Sequence, residues 1–168
     1  RGLDGISVEE LASRAEVSKP VIYEHFGGKE GLYRAVIDVE MQKLETRISA
    51  VIQDGRWRER IEKGVVAVLE YVEEETDGFI IIVRGQAPGE EPTYTTLLSR
   101  VTSQVSALLA QAFRQRGLDD SVAALYGQAL VGTVSNTALW WLDERQPDKY
   151  TTAAHIANMC WNGLRGLE

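Results

Sequence analysis

The sequence contains 168 residues, of which 18 are basic and 25 acidic, so its formal net charge is −7. A chain of this length forms one compact domain or one domain with a small appendage, and 44% hydrophobic residues exclude a disordered chain. The acidic balance excludes general coating of nucleic acid, which depends on Lys and Arg neutralising phosphates, but it permits a local DNA-reading surface. Cys160 is the only cysteine, which excludes an internal disulfide and favours a reducing, cytoplasmic location.

Helical periodicity dominates the chain between breaks at proline and glycine, and this pattern predicts an all-α fold. The β-branched run from Phe79 to Val83 fits a short helix or a strand equally well. The uncharged stretch from Ser121 to Leu142 includes Ser, Gln, Asn and Thr, which favours a helix buried on two sides over a membrane span. The predicted helices run over Val8–Ala15, Lys19–Phe26, Lys29–Ile52, Arg56–Thr76, Phe79–Gln86, Thr93–Arg116, Asp119 or Asp120 to Asp143, and Lys149–Leu167.

The first two helices are short and are joined by a three-residue turn, which is typical of a helix-turn-helix. Ser7 and Glu10 form a capping-box pattern at the start of the first helix. Ser18 is the predicted N-cap of the second helix, and Pro20 lies in its first turn, where a missing N–H is tolerated.

Apolar residues around this motif predict its buried side. We expect Ile22 and Phe26 to face the core and Val17 to fill the corner between the two helices. In the long third helix, the predicted inward positions recur at helical spacing and are Leu32, Val36, Val39 and Leu44.

The second helix of such a motif enters the major groove through its N-terminal residues. Lys19 can reach a guanine edge or a phosphate, while the apolar surfaces of Pro20 and Val21 suit a thymine methyl. Tyr23 and His25 can donate to phosphate oxygens, although outside this motif His25 is simply an exposed helix residue. The next helix begins with free N–H groups that also favour an anion. The predicted DNA-binding residues are Ser18, Lys19, Pro20, Val21, Tyr23, His25 and Lys29.

This region resembles the DNA-binding signature of TetR-type transcriptional regulators. The resemblance rests on GISVEELA at 5–12 and AEVSKPVIYEHFGGKEGL at 15–32, in which the tyrosine, the phenylalanine three residues later and the Lys-Glu-x-Leu that opens the next helix are in register. It implies a homodimer whose divergent C-terminal domain binds a small molecule, with DNA released on binding. It also implies a further helix before the motif, so we expect residues upstream of Arg1 to be truncated, disordered or outside this sequence.

The predicted domains are a helix-turn-helix domain at residues 1–34 and a ligand-binding and dimerisation domain at residues 35–168. The first segment has five basic and six acidic side chains, a net charge of −1, so the remainder carries −6 of the total. By charge alone, the first segment is a weak candidate for DNA binding. The motif therefore carries this prediction.

Two apolar helices at the end of the chain predict a dimerisation surface. The helix that ends at Asp143 is apolar around most of its circumference, and Gly127 and Gly132 permit a close helix approach. Such surfaces suit the self-complementary contacts of a two-fold dimer, as the resemblance also implies, but the same residues can fill the core of a single subunit. The predicted interface residues are Leu130, Val134, Trp141, Ala157, Trp161 and Leu164.

Aromatic and polar side chains between residues 56 and 142 predict a small-molecule pocket, since such sites combine aromatic walls with a few polar tips. Each has an alternative interpretation: Tyr71 and Trp140 as core residues, and Arg84 as a surface ion-pair partner. The predicted pocket residues are Tyr71, Phe79, Arg84, Thr102, Gln104, Asn136 and Trp140.

The sequence shows no Ser–His–Asp order, no paired catalytic carboxylates and no glycine-rich phosphate loop, so we predict neither an enzyme nor a bound cofactor. His155 and Cys160 lie five residues apart and do not share a helix face, which disfavours a metal site. Burial is the expected state of Cys160, whereas a redox sensor would require an exposed thiol of low pKa.

The leading hypothesis is a ligand-responsive transcriptional regulator, acting as a repressor, that binds a near-palindromic double-stranded DNA operator as a homodimer and leaves it when an unknown small-molecule effector binds. An alternative is a DNA-binding protein with no small-molecule ligand, controlled by a protein partner or acting architecturally. A third is an enzyme or helical binding module without DNA binding, which would gain support if Lys19, Tyr23 and Lys29 were buried. A large internal cavity with convergent polar groups would favour the first hypothesis over the second.

Overall fold

A computed structural model describes residues 3, 5–84 and 93–162, and within these ranges all regular structure is helical. The all-α prediction is confirmed. Within the described ranges, no helix has the length and apolar character needed to cross a membrane. The helices are α1 (Val8–Arg14), α2 (Lys19–Phe26), α3 (Lys29–Ile52), α4 (Trp57–Glu74), α5 (Thr76–Arg84), α6 (Thr93–Gln115), α7 (Ala123–Glu144) and α8 (Lys149–Asn162), with a 3₁₀ turn at Asp120–Val122 before α7.

The helix ends follow the predicted capping chemistry with one exception. The Ser7 hydroxyl accepts a hydrogen bond from the Glu10 N–H at 3.1 Å, as a capping box requires. Ser18 is the N-cap of α2 as predicted and has the extended backbone of that position, but its side chain makes no capping hydrogen bond. Gly27 ends α2 in the left-handed conformation at φ 72°, where its N–H donates to the Tyr23 carbonyl.

The ambiguous apolar run from Phe79 to Val83 is a helix, and it starts earlier than predicted. The Thr76 hydroxyl donates to the Val72 carbonyl at 2.8 Å, so this residue closes the last turn of α4 and opens α5. Phe79 and Ile82 are buried. The spacing of five apolar residues could not distinguish a helix from a strand. The hydrogen bond of Thr76 lies outside that run and is polar, so no apolar pattern indicated it.

The chain packs as two compact units. The first contains residues 1–43 and 77–96, and the second contains 44–76 and 97–168. The predicted boundary after residue 34 falls inside α3, which continues without a break to Ile52.

In the first unit, the two short helices pack against each other and bury Ala12 and Ile22. Three predicted inward residues are instead exposed: Val17 at 41%, Phe26 at 39% and Val39 at 54%. Of the predicted inward positions of α3, Leu44 is confirmed as buried, and Leu32 and Val36 are half-buried. The buried stripe of α3 continues from the first unit into residues of the second, at spacings of four, three, four and four residues that share one helix face. That stripe is Ile37, Met41, Leu44, Ile48 and Ile52.

In the second unit, α4 packs against α7 and α8. Its predicted apolar face is confirmed at Val65, Leu69 and Val72, which have no accessible surface. The contact of α4 with α8 also includes an ion pair, in which the Lys149 ammonium lies 2.6 Å from a Glu73 carboxylate oxygen. Lys149 stays protonated for the same reason, since its hydrogen bond to Glu73 raises the pKa of the amine above its usual value.

The crossing of α6 and α7 depends on a glycine. A Cβ atom on Gly127 would lie 2.1 Å from the Ser106 hydroxyl oxygen and 3.2 Å from the Ser106 Cα. The predicted close approach at Gly127 is therefore confirmed. At Gly132 a Cβ atom would have no described neighbour within 4 Å, so the approach does not extend to that position.

We expect Gly127→Ala to lower the free energy of unfolding by about 1–3 kcal/mol, since the added methyl overpacks the contact with the backbone of α6. The matched control is Gly64→Ala in α4, where the new Cβ would lie at an ordinary 3.4 Å from the Ile52 side chain. There the higher helix propensity of alanine should raise stability by about 1 kcal/mol or less. Chemical denaturation measures both changes, and equal effects would contradict this account of the crossing.

Candidate nucleic-acid interface

The turn between α1 and α2 is as short as predicted and is held by backbone hydrogen bonds. The Glu16 N–H donates to the Ser13 carbonyl at 3.3 Å, and the Val17 N–H donates to the Ala12 carbonyl at 3.0 Å. Glu16 has a positive φ of 56°, which lets the chain reverse within three residues. This turn places the first residues of α2 beside α1 with their side chains outward.

The structure exposes most of the predicted DNA-binding side chains. Val21 and Lys29 are half-buried, and Tyr23 is 49% exposed. The condition that favoured a module without DNA binding was burial of Lys19, Tyr23 and Lys29, and it is not met at Lys19 and Tyr23, which are exposed. The exposed members of the predicted set are Ser18, Lys19, Pro20, Tyr23 and His25.

Lys19 is held by two neighbours at the start of α2. Its ammonium forms an ion pair with a carboxylate oxygen of Glu9 on α1 and lies 5.9 Å from the centre of the Tyr23 ring. The hydrogen bond from Lys19 lowers the pKa of the Glu9 carboxyl, and the same bond raises the pKa of the Lys19 amine. Sequence reasoning missed this pairing, because Glu9 and Lys19 are ten residues apart and belong to different helices.

Tyr23 is supported by the glycine pair that follows α2. Gly28 is buried, has φ of 132°, and a Cβ atom there would lie 3.4 Å from a ring carbon of Tyr23. A side chain at Gly28 would thus be strained by its own backbone, and its Cβ atom would be in contact with the tyrosine ring. The contact between Gly28 and Tyr23 is visible only in the structure.

Acidic side chains of the motif surround the Lys19 ammonium. Glu16, Glu24 and Glu30 are exposed, and Arg14 is paired with Glu10 at 3.0 Å. Within the described part of the motif, exposed positive side chains are therefore interspersed with exposed carboxylates. Such a surface supports focused contacts better than bulk attraction to phosphates.

The seven predicted pocket residues divide between the two units. Phe79 and Arg84 belong to the first unit, where Phe79 is buried edge-to-face with Tyr94 and Arg84 is exposed. The other five belong to the second unit, and of these Asn136 and Trp140 are exposed on α7.

The remaining three pocket candidates lie in the interior of the second unit or at its edge. Tyr71 has no accessible surface, and the Arg47 guanidinium lies 5.5 Å from the centre of its ring. The Gln104 side-chain oxygen accepts a hydrogen bond from the Ser49 hydroxyl at 3.0 Å, and Thr102 is half-buried.

An open cleft of about 380 Å³ lies elsewhere in the second unit. Three carboxylates at Glu59, Glu62 and Glu70 dominate its polar groups, and the Tyr150 hydroxyl donates to Glu70 at 3.4 Å. None of the seven predicted pocket residues contributes to this cleft, which is lined by Val51, Glu59, Glu62, Lys63, Val66, Ala67, Glu70 and Tyr150.

The predicted interface residues fall into three groups. Trp161 is 52% exposed, and Leu130 and Val134 are half-buried. Trp141 and Ala157 are buried in their own subunit, and the Trp141 ring N–H donates to the Pro147 carbonyl at 2.7 Å. These two side chains cannot lose further surface to a partner. Leu164 lies outside the described residues.

An exposed apolar stripe lies on α7 and on the turn before it. Val122, Tyr126 and Trp140 share one helix face and are exposed by 38%, 52% and 50%. Of these three residues, only Trp140 is a predicted site residue, and the sequence assigned it to the pocket. Thr133 and Thr137 lie on the same face, and their hydroxyls donate to carbonyls one turn earlier in the helix, which satisfies both hydroxyls within α7.

Cys160 is half-buried, and burial raises the pKa of its thiol above the usual value. That direction is opposite to what a redox-sensing thiolate requires. Among the described residues, no group of His, Cys, Asp and Glu side chains is arranged to hold a metal ion.

Two family models match the chain. The model described as "Bacterial regulatory proteins, tetR family" matches residues 1–36, and the model described as "Tetracyclin repressor-like, C-terminal domain" matches residues 57–163. Together they cover both the helix-turn-helix and most of the helices that follow it.

Individual relatives resemble the chain at low sequence identity. The transcriptional activator FasR of Mycolicibacterium smegmatis is 26% identical over 166 residues, which cover 98% of this chain and 76% of FasR. The nucleoid occlusion factor SlmA of a Marinomonas species is 25% identical over 125 residues, covering 74% of this chain and 64% of SlmA. The transcriptional regulator FadR of Bacillus subtilis, solved with stearoyl-CoA, shares the fold with a TM-score of 0.73 at 15% identity, over 96% of this chain and 90% of FadR.

Proposed function

Since the chain belongs to the TetR family of bacterial transcriptional regulators, we propose that it is a ligand-responsive repressor that binds a near-palindromic operator as a homodimer. The observation that carries the DNA-binding part is the exposed start of α2, where Lys19 and Tyr23 project from a tight turn. We assign the effector to a small molecule whose binding releases DNA.

In this proposal, the N-terminal half of α2 enters the major groove. Lys19 contacts a base edge, Pro20 and Val21 meet thymine methyls, and Tyr23 with His25 donates to phosphates. Ser18 and Lys29 complete the backbone contacts. Two copies related by a two-fold axis would read two half-sites, which is why we propose a near-palindromic operator.

We expect Tyr23→Ala to weaken binding to operator and non-operator DNA alike, by roughly twofold to tenfold, since one phosphate hydrogen bond is lost. Lys19→Ala should also reduce the preference for operator, because a base contact discriminates between sequences. Fluorescence anisotropy with both duplexes measures these effects, with Lys43→Ala on α3 as a control for the loss of one exposed positive charge. Unchanged sequence preference in Lys19→Ala would contradict the assigned base contact.

We place the dimer interface on the exposed faces of α7 and α8. The apolar stripe of α7 and Trp161 on α8 support it, as do the half-buried Leu130 and Val134. A contiguous apolar surface of this kind on a water-soluble regulator is best explained by a protein partner, and identical copies satisfy it with a self-complementary contact.

The double variant Trp140→Glu/Trp161→Glu should shift the molecular mass by light scattering from twice that of the chain to that of a single chain. Two buried carboxylates per subunit, unpaired across the interface, would strongly oppose association. The control is Val39→Asp on α3, which adds a charge to an equally exposed apolar position of the other unit. A wild-type protein that is monomeric at micromolar concentration would overturn the dimer.

For the effector site we retain Tyr71, Thr102 and Gln104, whose aromatic and polar groups lie in the second unit. The acidic cleft near Tyr150 is unsuited to an anionic ligand, because its three carboxylates would repel one. An effector can release DNA only if it binds more tightly to the arrangement of the dimer that does not match the two half-sites.

Stearoyl-CoA, which is bound by the fold neighbour FadR, is the first effector to test. At a hundred times its dissociation constant, a ligand stabilises the folded state by about 2.7 kcal/mol, which raises the melting temperature by several degrees. We expect this stabilisation together with release of operator DNA, and neither with coenzyme A alone. A wild-type protein that binds operator but responds to no small molecule in a thermal-shift screen would exclude effector control.

A second candidate is a DNA-binding protein of the same fold that is controlled by a protein partner or acts architecturally. The similarity to SlmA, named a nucleoid occlusion factor, supports it. This candidate predicts sequence-preferring DNA binding that no small molecule relieves, so the effector screen separates the two.

A further inference from the structure

We propose that Glu9 is a specificity-determining residue, which holds Lys19 in an ion pair so that Lys19 is released only by a DNA site that offers it a base contact. This inference rests on the proposed DNA-binding function. It assigns to α1, which is otherwise the supporting helix of the motif, a direct effect on how α2 discriminates between sequences.

The geometry places the pair where DNA would compete for it. Glu9 lies in the first turn of α1 and Lys19 is the first residue of α2, so the tight turn brings their side chains together. Their side chains are 64% and 47% exposed, respectively, and the centre of the Tyr23 ring lies 5.9 Å from the ammonium. An incoming phosphate or guanine edge would therefore meet a lysine that already has an acceptor.

Competition of this kind affects non-operator and operator DNA differently. On non-operator DNA, a phosphate contact would cost Lys19 its pair with Glu9 and leave that carboxylate close to the phosphate backbone, so Lys19 keeps the pair. On operator DNA, donation to guanine O6 and N7 replaces the lost acceptor. Glu9 thus weakens binding most on non-operator DNA, to which the protein binds through charge alone.

Lys19 pairs with one carboxylate of the motif in particular. Glu24, on α2 itself, is also exposed but has no ion pair among the described residues. Since Lys19 lowers the pKa of the Glu9 carboxyl, Glu9 stays ionised at neutral pH, where DNA binding takes place. Exposed pairs are weak, so a favourable DNA site can break this one.

The test compares Glu9→Gln with Glu24→Gln in the full-length protein, since both changes remove one exposed carboxylate from the motif. The probes are a duplex that the wild-type protein selects from random-sequence DNA and a scrambled duplex of the same composition. Fluorescence anisotropy over a series of salt concentrations gives each affinity and its salt dependence. Thermal melting verifies that both variants fold.

We expect Glu9→Gln to tighten binding to the scrambled duplex by about twofold to fivefold and binding to the selected duplex by less than twofold. The salt dependence on scrambled DNA should steepen by about 0.9, the value for one more neutralised phosphate. Glu24→Gln should change both duplexes by the same factor. In a Lys19→Met background, Glu9→Gln should no longer change the preference between duplexes.

Three results would overturn the inference. Equal effects of Glu9→Gln and Glu24→Gln would reduce Glu9 to one of several repelling charges. A Glu9→Gln effect on preference that persists without Lys19 would show that the ion pair is not its cause. A wild-type protein that binds no DNA with salt dependence would overturn the proposed function itself, and the role of Glu9 with it.

Discussion

The burial of Ala12 and Ile22 between α1 and α2 is the constraint on which the DNA-facing surface depends. The two helices are too short to be stable alone, so their mutual packing fixes both of them. The three-residue turn keeps that packing in register through the hydrogen bond from the Val17 N–H to the Ala12 carbonyl. With the inner side occupied, the start of α2 has only its outer side to present, and Lys19 and Tyr23 project from it.

Charge explains why that surface has to be selective. The protein is acidic overall, and within the described part of the motif exposed carboxylates flank Lys19 at the start of α2. A regulator built this way gains little from long-range attraction to phosphates and depends on contacts made at close range. The pairing of Lys19 with Glu9 extends the same principle, because it weakens a contact between Lys19 and phosphate that would bind any sequence equally well.

The second unit shows how a helix can serve two packing surfaces. On one side, α7 approaches α6 closely at Gly127 and buries Trp141 against its own subunit. Another side of the same helix exposes Tyr126 and Trp140, with Thr133 and Thr137 between them. The sequence pattern correctly indicated a helix that is apolar around its circumference. It could not separate the side of α7 that packs within the subunit from the side that is left for a partner. The pattern therefore predicts Trp141 as an interface residue together with Trp161.

The sequence by itself determined the helical architecture, the capping of α1 and the helix-turn-helix, because these depend on local spacing and on short-range hydrogen bonds. Only the tertiary structure decided which apolar residues of α3 face inward, because a buried face through Val39 and a buried face through Ile37 are both compatible with a helix. It also decided the partners of charged and polar groups, as with Lys19 and Glu9 or Tyr23 and Gly28. Those contacts join residues on different elements, and no local pattern records which of the available partners a folded chain brings within reach.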